Sequence, residues 1–280
     1  MSDVLLTGLK IGESARWHDG RLWLCNWGTR QVLAVDDDGR AEVMATVPTT
    51  IPFSIDWLPD GRLLVVSGPE GRLLRQEPDG SLVEHADLSA YGGLNEIVVD
   101  GRGDIFVNGG SDFHPDEGVA PGFVLVVRAD GEVRKVAEDI AFPNGMVVTP
   151  DGSTLVIAES FAATLTAFDI GADGGLSNRR VWAAVPADGI VMDAEGAIWT
   201  PSGASCLRVA EGGEVLATVP LEHFGFACTL GGDDGRTLYM LSADWHMGDG
   251  FEANLERLVG GPETGRVLTT RAPAPHAGHP

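Results

Sequence analysis

The chain has 280 residues, including 38 Gly and 16 Pro, and its 41 Asp+Glu against 19 Lys+Arg leave a formal net charge of −22. An acidic excess of this size excludes a nucleic-acid footprint, which needs clustered Lys and Arg, and opposes docking on anionic lipid. No run approaches 18 uninterrupted apolar residues, so no transmembrane helix is expected, and the start MSDVLLTGLK lacks the basic and long apolar segments of a secretory signal. Cys25, Cys206 and Cys228 are scattered without a CxxC pair and read as buried reduced thiols of a cytoplasmic protein. No phosphate-binding Gly motif, HExxH or GxSxG is present.

In chain order, the run Val4-Leu5-Leu6 comes first and is expected to pair with the last sheet of the fold. Six turn dipeptides then recur roughly 40 to 50 residues apart: Asp19-Gly20, Asp60-Gly61, Asp100-Gly101, Asp151-Gly152, Glu195-Gly196 and Asp234-Gly235. A second series falls between them: Asp38-Gly39, Asp79-Gly80, Asp130-Gly131, Asp173-Gly174, Gly212-Gly213 and, weakest, Thr264-Gly265. Each is flanked by short apolar runs such as Leu63-Leu64-Val65-Val66, and Asp-Gly between such runs signals a hairpin.

Two hairpins per period make one four-stranded sheet, and six such sheets fill the chain. The expected fold is therefore all-β, a six-bladed β-propeller in one domain over 1–280. Its blades span about 12–48, 49–90, 91–140, 141–186, 187–220 and 221–271, with the N-terminal strand closing the last. No dozen-residue window sustains helical apolar spacing without Gly or Pro. The longest irregular segment, residues 109–122, carries His114 and is a candidate binding loop.

In such a fold the first strand of each blade lines the central channel. Aligned on the first turn series, Glu13, Asn95, Asn144 and Asp188 fall at one phase, and Ser54 and Cys228 fill it in blades two and six. Equivalent phase implies convergence at the channel mouth. Two carboxylates and two amide oxygens are hard ligands suited to Ca²⁺ or a similar cation, and without one Glu13 and Asp188 would repel. The same donors accept Mg²⁺, Mn²⁺ or Zn²⁺.

The segments Gly12-Glu13-Ser14-Ala15-Arg16-Trp17, Phe142-Pro143-Asn144-Gly145-Met146 with Pro150-Asp151-Gly152, and Asp188-Gly189-Ile190-Val191-Met192-Asp193 with Gly196-Ala197-Ile198-Trp199 resemble the SMP-30/gluconolactonase/LRE (regucalcin-like) family. The resemblance runs from Val4 to about Arg271. It implies one divalent cation, Ca²⁺ by first choice, held by Glu13, Asn144 and Asp188, with Asp188 also the base that activates water. It implies that Asn95 contacts the cation or the substrate. The chain departs from the family pattern at Glu96, where Asp is common, and at Gly93-Leu94, where animal sugar lactonases carry Arg.

The activity this implies is metal-dependent opening of a sugar or other small lactone. Asn95, Glu96, Ser54 and, from the long loop, His114 are the candidate substrate contacts. The rival readings are a phosphotriesterase or fluorophosphatase on the same metal, and a Ca²⁺-binding propeller without turnover. Expected partners are a small-molecule substrate only, with no nucleic acid or membrane, in a monomer or small homo-oligomer.

Overall fold

A computed structural model describes residues 2–110, 113–114, 118–246 and 248–278, with the backbone alone for 113–114, 118–119 and 251. The fold is a six-bladed β-propeller, as the turn spacing predicts, made of six antiparallel four-stranded sheets. The first sheet is β2 (Gly12–His18), β3 (Arg21–Asn26), β4 (Gln31–Val35) and β5 (Ala41–Thr46). The second is β6 (Phe53–Trp57), β7 (Leu63–Ser67), β8 (Arg72–Gln76) and β9 (Leu82–Asp87). The third is β10 (Leu94–Val99), β11 (Ile105–Gly109), β14 (Gly122–Val127) and β15 (Val133–Ile140), with the small pair β12 (Phe113–His114) and β13 (Gly118–Val119) in the β11–β14 connection. The fourth is β16 (Pro143–Val148), β17 (Thr154–Glu159), β18 (Thr164–Ile170) and β19 (Leu176–Ala183). The fifth is β20 (Val191–Met192), β21 (Ile198–Pro201), β22 (Ser205–Val209) and β23 (Val215–Pro220). The sixth is β24 (Phe224–Gly231), β25 (Thr237–Ala243), β26 (Gly265–Arg271) and, outermost, β1 (Asp3–Leu9) paired antiparallel to β26.

The chain divides into two compact units. The first comprises Met1–Thr46, Asp188–Ala210 and Glu214–His276, and so holds sheets five, six and one. Its core packs Leu22, Leu24 and Leu33 against Tyr239, Leu241 and Val267, and Trp199 and Cys206 against Cys228, Leu230 and Met240. The second comprises Val47–Ala187, Glu211–Gly213 and Ala277–Pro280, with sheets two, three and four. There Leu64, Val66 and Leu73 pack on Ile97, Val99 and Leu125, and Val98, Phe106 and Val126 on Met146, Leu155 and Ile157. Inner strands are buried on both faces, which is why β7 and β14 read as continuous apolar runs; the outermost strands β5, β19 and β23 carry most of the exposed positions.

The turns show why Asp and Gly recur. Glycine supplies the positive φ, as at Gly61 (82°), Gly80 (84°), Gly131 (88°) and Gly152 (70°). The preceding Asp accepts the N–H two residues on, as at Asp60 from Arg62, Asp79 from Ser81, Asp151 from Ser153 and Asp234 from Arg236. These bonds favour the ionised carboxylate. Asp79 is held below its ordinary pKa by the Ser81 hydroxyl and N–H, Asp151 by Thr149 and Ser153, and Asp173 by the Gly175 N–H. At the third turn the left-handed residue is Gly103 (84°), which donates to Asp100 O, and not Gly101.

Two further expectations are corrected. Thr264-Gly265 is not a hairpin turn, because β25 reaches β26 through α1 (Phe251–Gly260). This helix has ten residues, fewer than a dozen-residue window spans, and its buried stripe is Asn254 and Leu258, four apart. The Asn254 side chain donates to His246 O and Gly250 O and accepts from His246 N, which ties the connection to the helix start.

In the fifth sheet Arg208 Nε donates to buried Asp193 at 2.7 Å, and a second guanidinium nitrogen reaches Glu195 at 2.7 Å. Asp193 also accepts from the Glu195 and Ala197 N–H groups. Arg208→Met leaves Asp193 buried without its counter-charge and is expected to cost about 3–5 kcal/mol in urea unfolding. The turn carboxylates set a second expectation. Their pKa values are depressed in the fold, so their stabilisation is complete above the ordinary carboxylate range and is lost as pH falls through it. Urea midpoints should therefore stay level from neutral pH to about pH 5 and fall below about pH 4.

Candidate functional site

In the second unit β10 packs against β6 and β16. Ser54, Asn95 and Asn144 are each the second residue of one of these first strands. Strand β6 pairs with β7 without interruption, but β10 and β16 are bulged. Asn95 and Glu96 together face the single Asn108, and Asn144 and Gly145 face Ala158. A bulge re-aims the side chains it carries and leaves a backbone group outside the ladder. Here the Asn108 side chain fills in: its Oδ1 accepts the Glu96 N–H at 3.1 Å and its amide donates to Asn144 O at 2.7 Å. Asn108 is fully buried.

The hydrogen-bond network fixes which way two amides point. Asn95 donates to the Pro143 carbonyl at 3.0 Å, so its NH₂ is spent there and its Oδ1 faces away. The Ser160 hydroxyl has one proton, which it gives to the Ala187 carbonyl at 2.9 Å. It can then only accept from Asn144, whose amide nitrogen lies 3.5 Å away. Asn144 Oδ1 is left as the outward end, accepting from no described residue. Glu96 is buried, and its Oε1 accepts the Ile97 N–H at 3.0 Å. Ser54 is also buried, and its Oγ has no hydrogen-bond partner among the described residues.

Next to Asn144, Phe142 holds a positive φ of 58°. For a bulky residue this is costly, about 1–3 kcal/mol. Its carbonyl accepts from Ser160 N, and Phe161 N donates to Ala141 O, so the β17–β18 turn is strapped to the start of β16.

In the first unit Glu13 is the second residue of β2 and is buried. This strand is bulged as well: Ser14 and Ala15 face Leu24, with Ser14 at φ 49° and its N–H 3.4 Å from Glu13 Oε2. Asp188 lies before β20 and is half-buried, its N–H donating to Thr200 Oγ1 at 3.2 Å. Gly189 N donates to Phe226 O at 2.9 Å, and a Cβ on Gly189 would lie 2.8 Å from Ala227 Cα. Only glycine lets β24 approach this closely. The Cys228 thiol bonds Trp199 O at 3.3 Å; burial first, then Cys206 and the Asp188 charge, push its pKa up. It stays protonated and is no nucleophile.

The second unit thus holds Ser54, Asn95, Glu96 and Asn144, and the first holds Glu13 and Asp188. His114 is in β12, and its side chain lies outside the described residues. The donor chemistry fits a hard cation: Glu13 and Asp188 are carboxylates, and Asn144 presents its amide oxygen. Among the described residues no group of three or more His, Cys, Asp and Glu is placed to hold a metal. Sequence reasoning missed Asn108 and Ser160. Both lie outside the first strands whose phase was compared, and only Asn108's polarity at the end of the run Ile105-Phe106-Val107 marks it.

These features define a β-propeller whose sheets carry oxygen-bearing side chains at or before the start of their first strands, two of them, Asn95 and Asn144, on bulges. The chain belongs to the SMP-30/gluconolactonase/LRE-like family, whose sequence profile matches residues 11–244. It is 26% identical over 168 residues to a 6-deoxy-6-sulfogluconolactonase of Pseudomonas putida, a match covering 57% of this chain and 56% of that one. The chain therefore spans little more than half the length of that curated relative. A luciferin-regenerating enzyme superposes with a TM-score of 0.81 at 17% identity, over 99% of this chain and 97% of the other. A calcium-binding regucalcin of Agrobacterium tumefaciens superposes at 0.76 with 22% identity, over 99% and 95%.

Asn108→Ala removes the partner of both the Glu96 N–H and the Asn144 carbonyl. Stranding two such groups is expected to lower stability by about 1–3 kcal/mol each, read by chemical denaturation.

Proposed function

We propose that the chain is a lactonase that opens a small lactone with water and depends on one divalent cation, with Ca²⁺ the first choice. Glu13, Asn144 and Asp188 are its proposed protein ligands. The observation that carries this reading is the orientation of Asn144: with its NH₂ committed to Ser160, the amide presents oxygen, the end a hard cation takes. Family membership and the sulfogluconolactonase match support the activity, and the calcium-binding regucalcin supports the choice of ion.

When bound, the cation supplies Lewis-acid polarisation of the lactone carbonyl. The chain's own residues do the rest. Asp188 takes a proton from the attacking water at a carboxylate oxygen, and its backbone is held by its own N–H to Thr200 Oγ1 and by the Gly189 N–H to Phe226 O on β24. Water adds to the carbonyl carbon, the ring C–O bond breaks, and the proton passes to the departing ring oxygen, giving a hydroxy acid. Glu13, which is buried, serves as the more purely structural ligand. Asn95 presents its Oδ1 toward the cation or substrate, and Ser54, Glu96 and His114 are the remaining proposed substrate contacts.

Acid release on a lactone panel tests this directly. Glu13→Gln and Asp188→Ala are expected to lower kcat/KM by about 10²–10⁴-fold with an unchanged circular dichroism spectrum. EDTA should abolish turnover and added Ca²⁺ restore it. Near-native turnover by either variant under saturating Ca²⁺ overturns the assignment.

A further inference from the structure

Six of the seven large apolar side chains exposed among the described residues lie on outermost strands: Val4, Val43, Val83, Val181, Val215 and Leu216. The seventh does not. Phe161, 54% exposed, sits in the β17–β18 turn directly after Ser160, the residue that orients Asn144. Its ring stacks on Phe142, two residues before Asn144, with centroids 4.4 Å apart and planes 11° from parallel. Two backbone bonds, Ser160 N to Phe142 O and Phe161 N to Ala141 O, hold the rings in register. Phe142 keeps its place despite a left-handed backbone that phenylalanine disfavours. A strained residue held by its surroundings beside a site is an observation from which function is properly inferred.

Resting on the lactonase reading, we infer that the Phe142–Phe161 pair is a substrate platform, and that the preferred substrate is a lactone carrying an alkyl or aryl substituent, not a polyhydroxylated sugar lactone. A phenyl pair offers no hydrogen-bond donor or acceptor, so hydroxyls laid against it lose water without replacement. An apolar substituent loses nothing and gains contact with an aromatic face that is otherwise wet. Nor do Gly93 and Leu94, before Asn95, supply a side-chain donor for sugar hydroxyls. The ring of the lactone is then held at the Asn144 end, and its substituent extends over Phe161.

The test compares γ-butyrolactone, γ-phenyl-γ-butyrolactone and glucono-δ-lactone on the wild-type protein, Phe161→Ala and Phe161→Tyr. Wild type is expected to favour the phenyl lactone. Phe161→Ala should lower the ratio of phenyl-lactone to butyrolactone kcat/KM by about tenfold, through KM, and Phe161→Tyr, which keeps the stacked face, should retain it. An unchanged ratio in Phe161→Ala, or a wild-type preference for glucono-δ-lactone, overturns the platform while leaving lactonase activity intact. If no lactone is hydrolysed, the lactonase reading fails, and the platform is read by calorimetric titration with the phenyl lactone. Weaker binding to Phe161→Ala than to wild type then supports it; equal binding, or none to wild type, overturns it.

Discussion

A carbonyl oxygen can only accept a hydrogen bond, and a serine hydroxyl has one proton to give. From these two limits the orientation of the second unit's polar residues follows. The Ala187 carbonyl takes the Ser160 proton, Ser160 therefore accepts from Asn144, and Asn144 turns its oxygen outward. The Pro143 carbonyl does the same for Asn95. A flipped amide at either position would set oxygen against oxygen, at the cost of an unmade buried hydrogen bond. The proposed chemistry needs outward oxygens, and the Pro143 carbonyl directly and the Ala187 carbonyl through Ser160 orient them.

The bulges are the second part of the device. A regular strand such as β6 alternates its side chains and keeps an unbroken one-to-one register with its neighbour. Strands β2, β10 and β16 each place two residues against one near their start, from the second residue in β10 and β16 and from the third in β2. The ladder loses a bond there, and in β10 a side chain of the neighbouring strand, Asn108, replaces it. Asn108 also reaches Asn144 O in the next sheet, so one buried amide couples two bulged strands. Buried polar groups arranged this way rigidify only when every member is satisfied.

Most of the architecture was legible in the sequence because its signals are local. A turn needs a positive φ and a carboxylate two residues from an N–H, and Asp-Gly meets both within a dipeptide. The periodicity of these pairs leads to six four-stranded sheets, and much of the acidic excess stands at them. Legibility failed where the determining contact lay outside the dipeptide itself. Gly103 replaces Gly101 because Asp100 N pairs with Asp104 O, and α1 forms because Asn254 and Leu258 have a core to enter.

By itself the sequence determined the repeat, the sheet count, the family and the residue types at the common phase, since each depends on near neighbours or on spacing. Only the tertiary structure decided what those side chains present. The orientation of Asn144 is set by Ser160 and Ala187, 16 residues from the asparagine and 27 from the serine. Glycine at 189 is required by the approach of β24, and the stacking of Phe142 on Phe161 by two bonds between separate segments. Hydrogen-bond direction and steric contact are properties of atoms brought together in space, and no residue carries them alone.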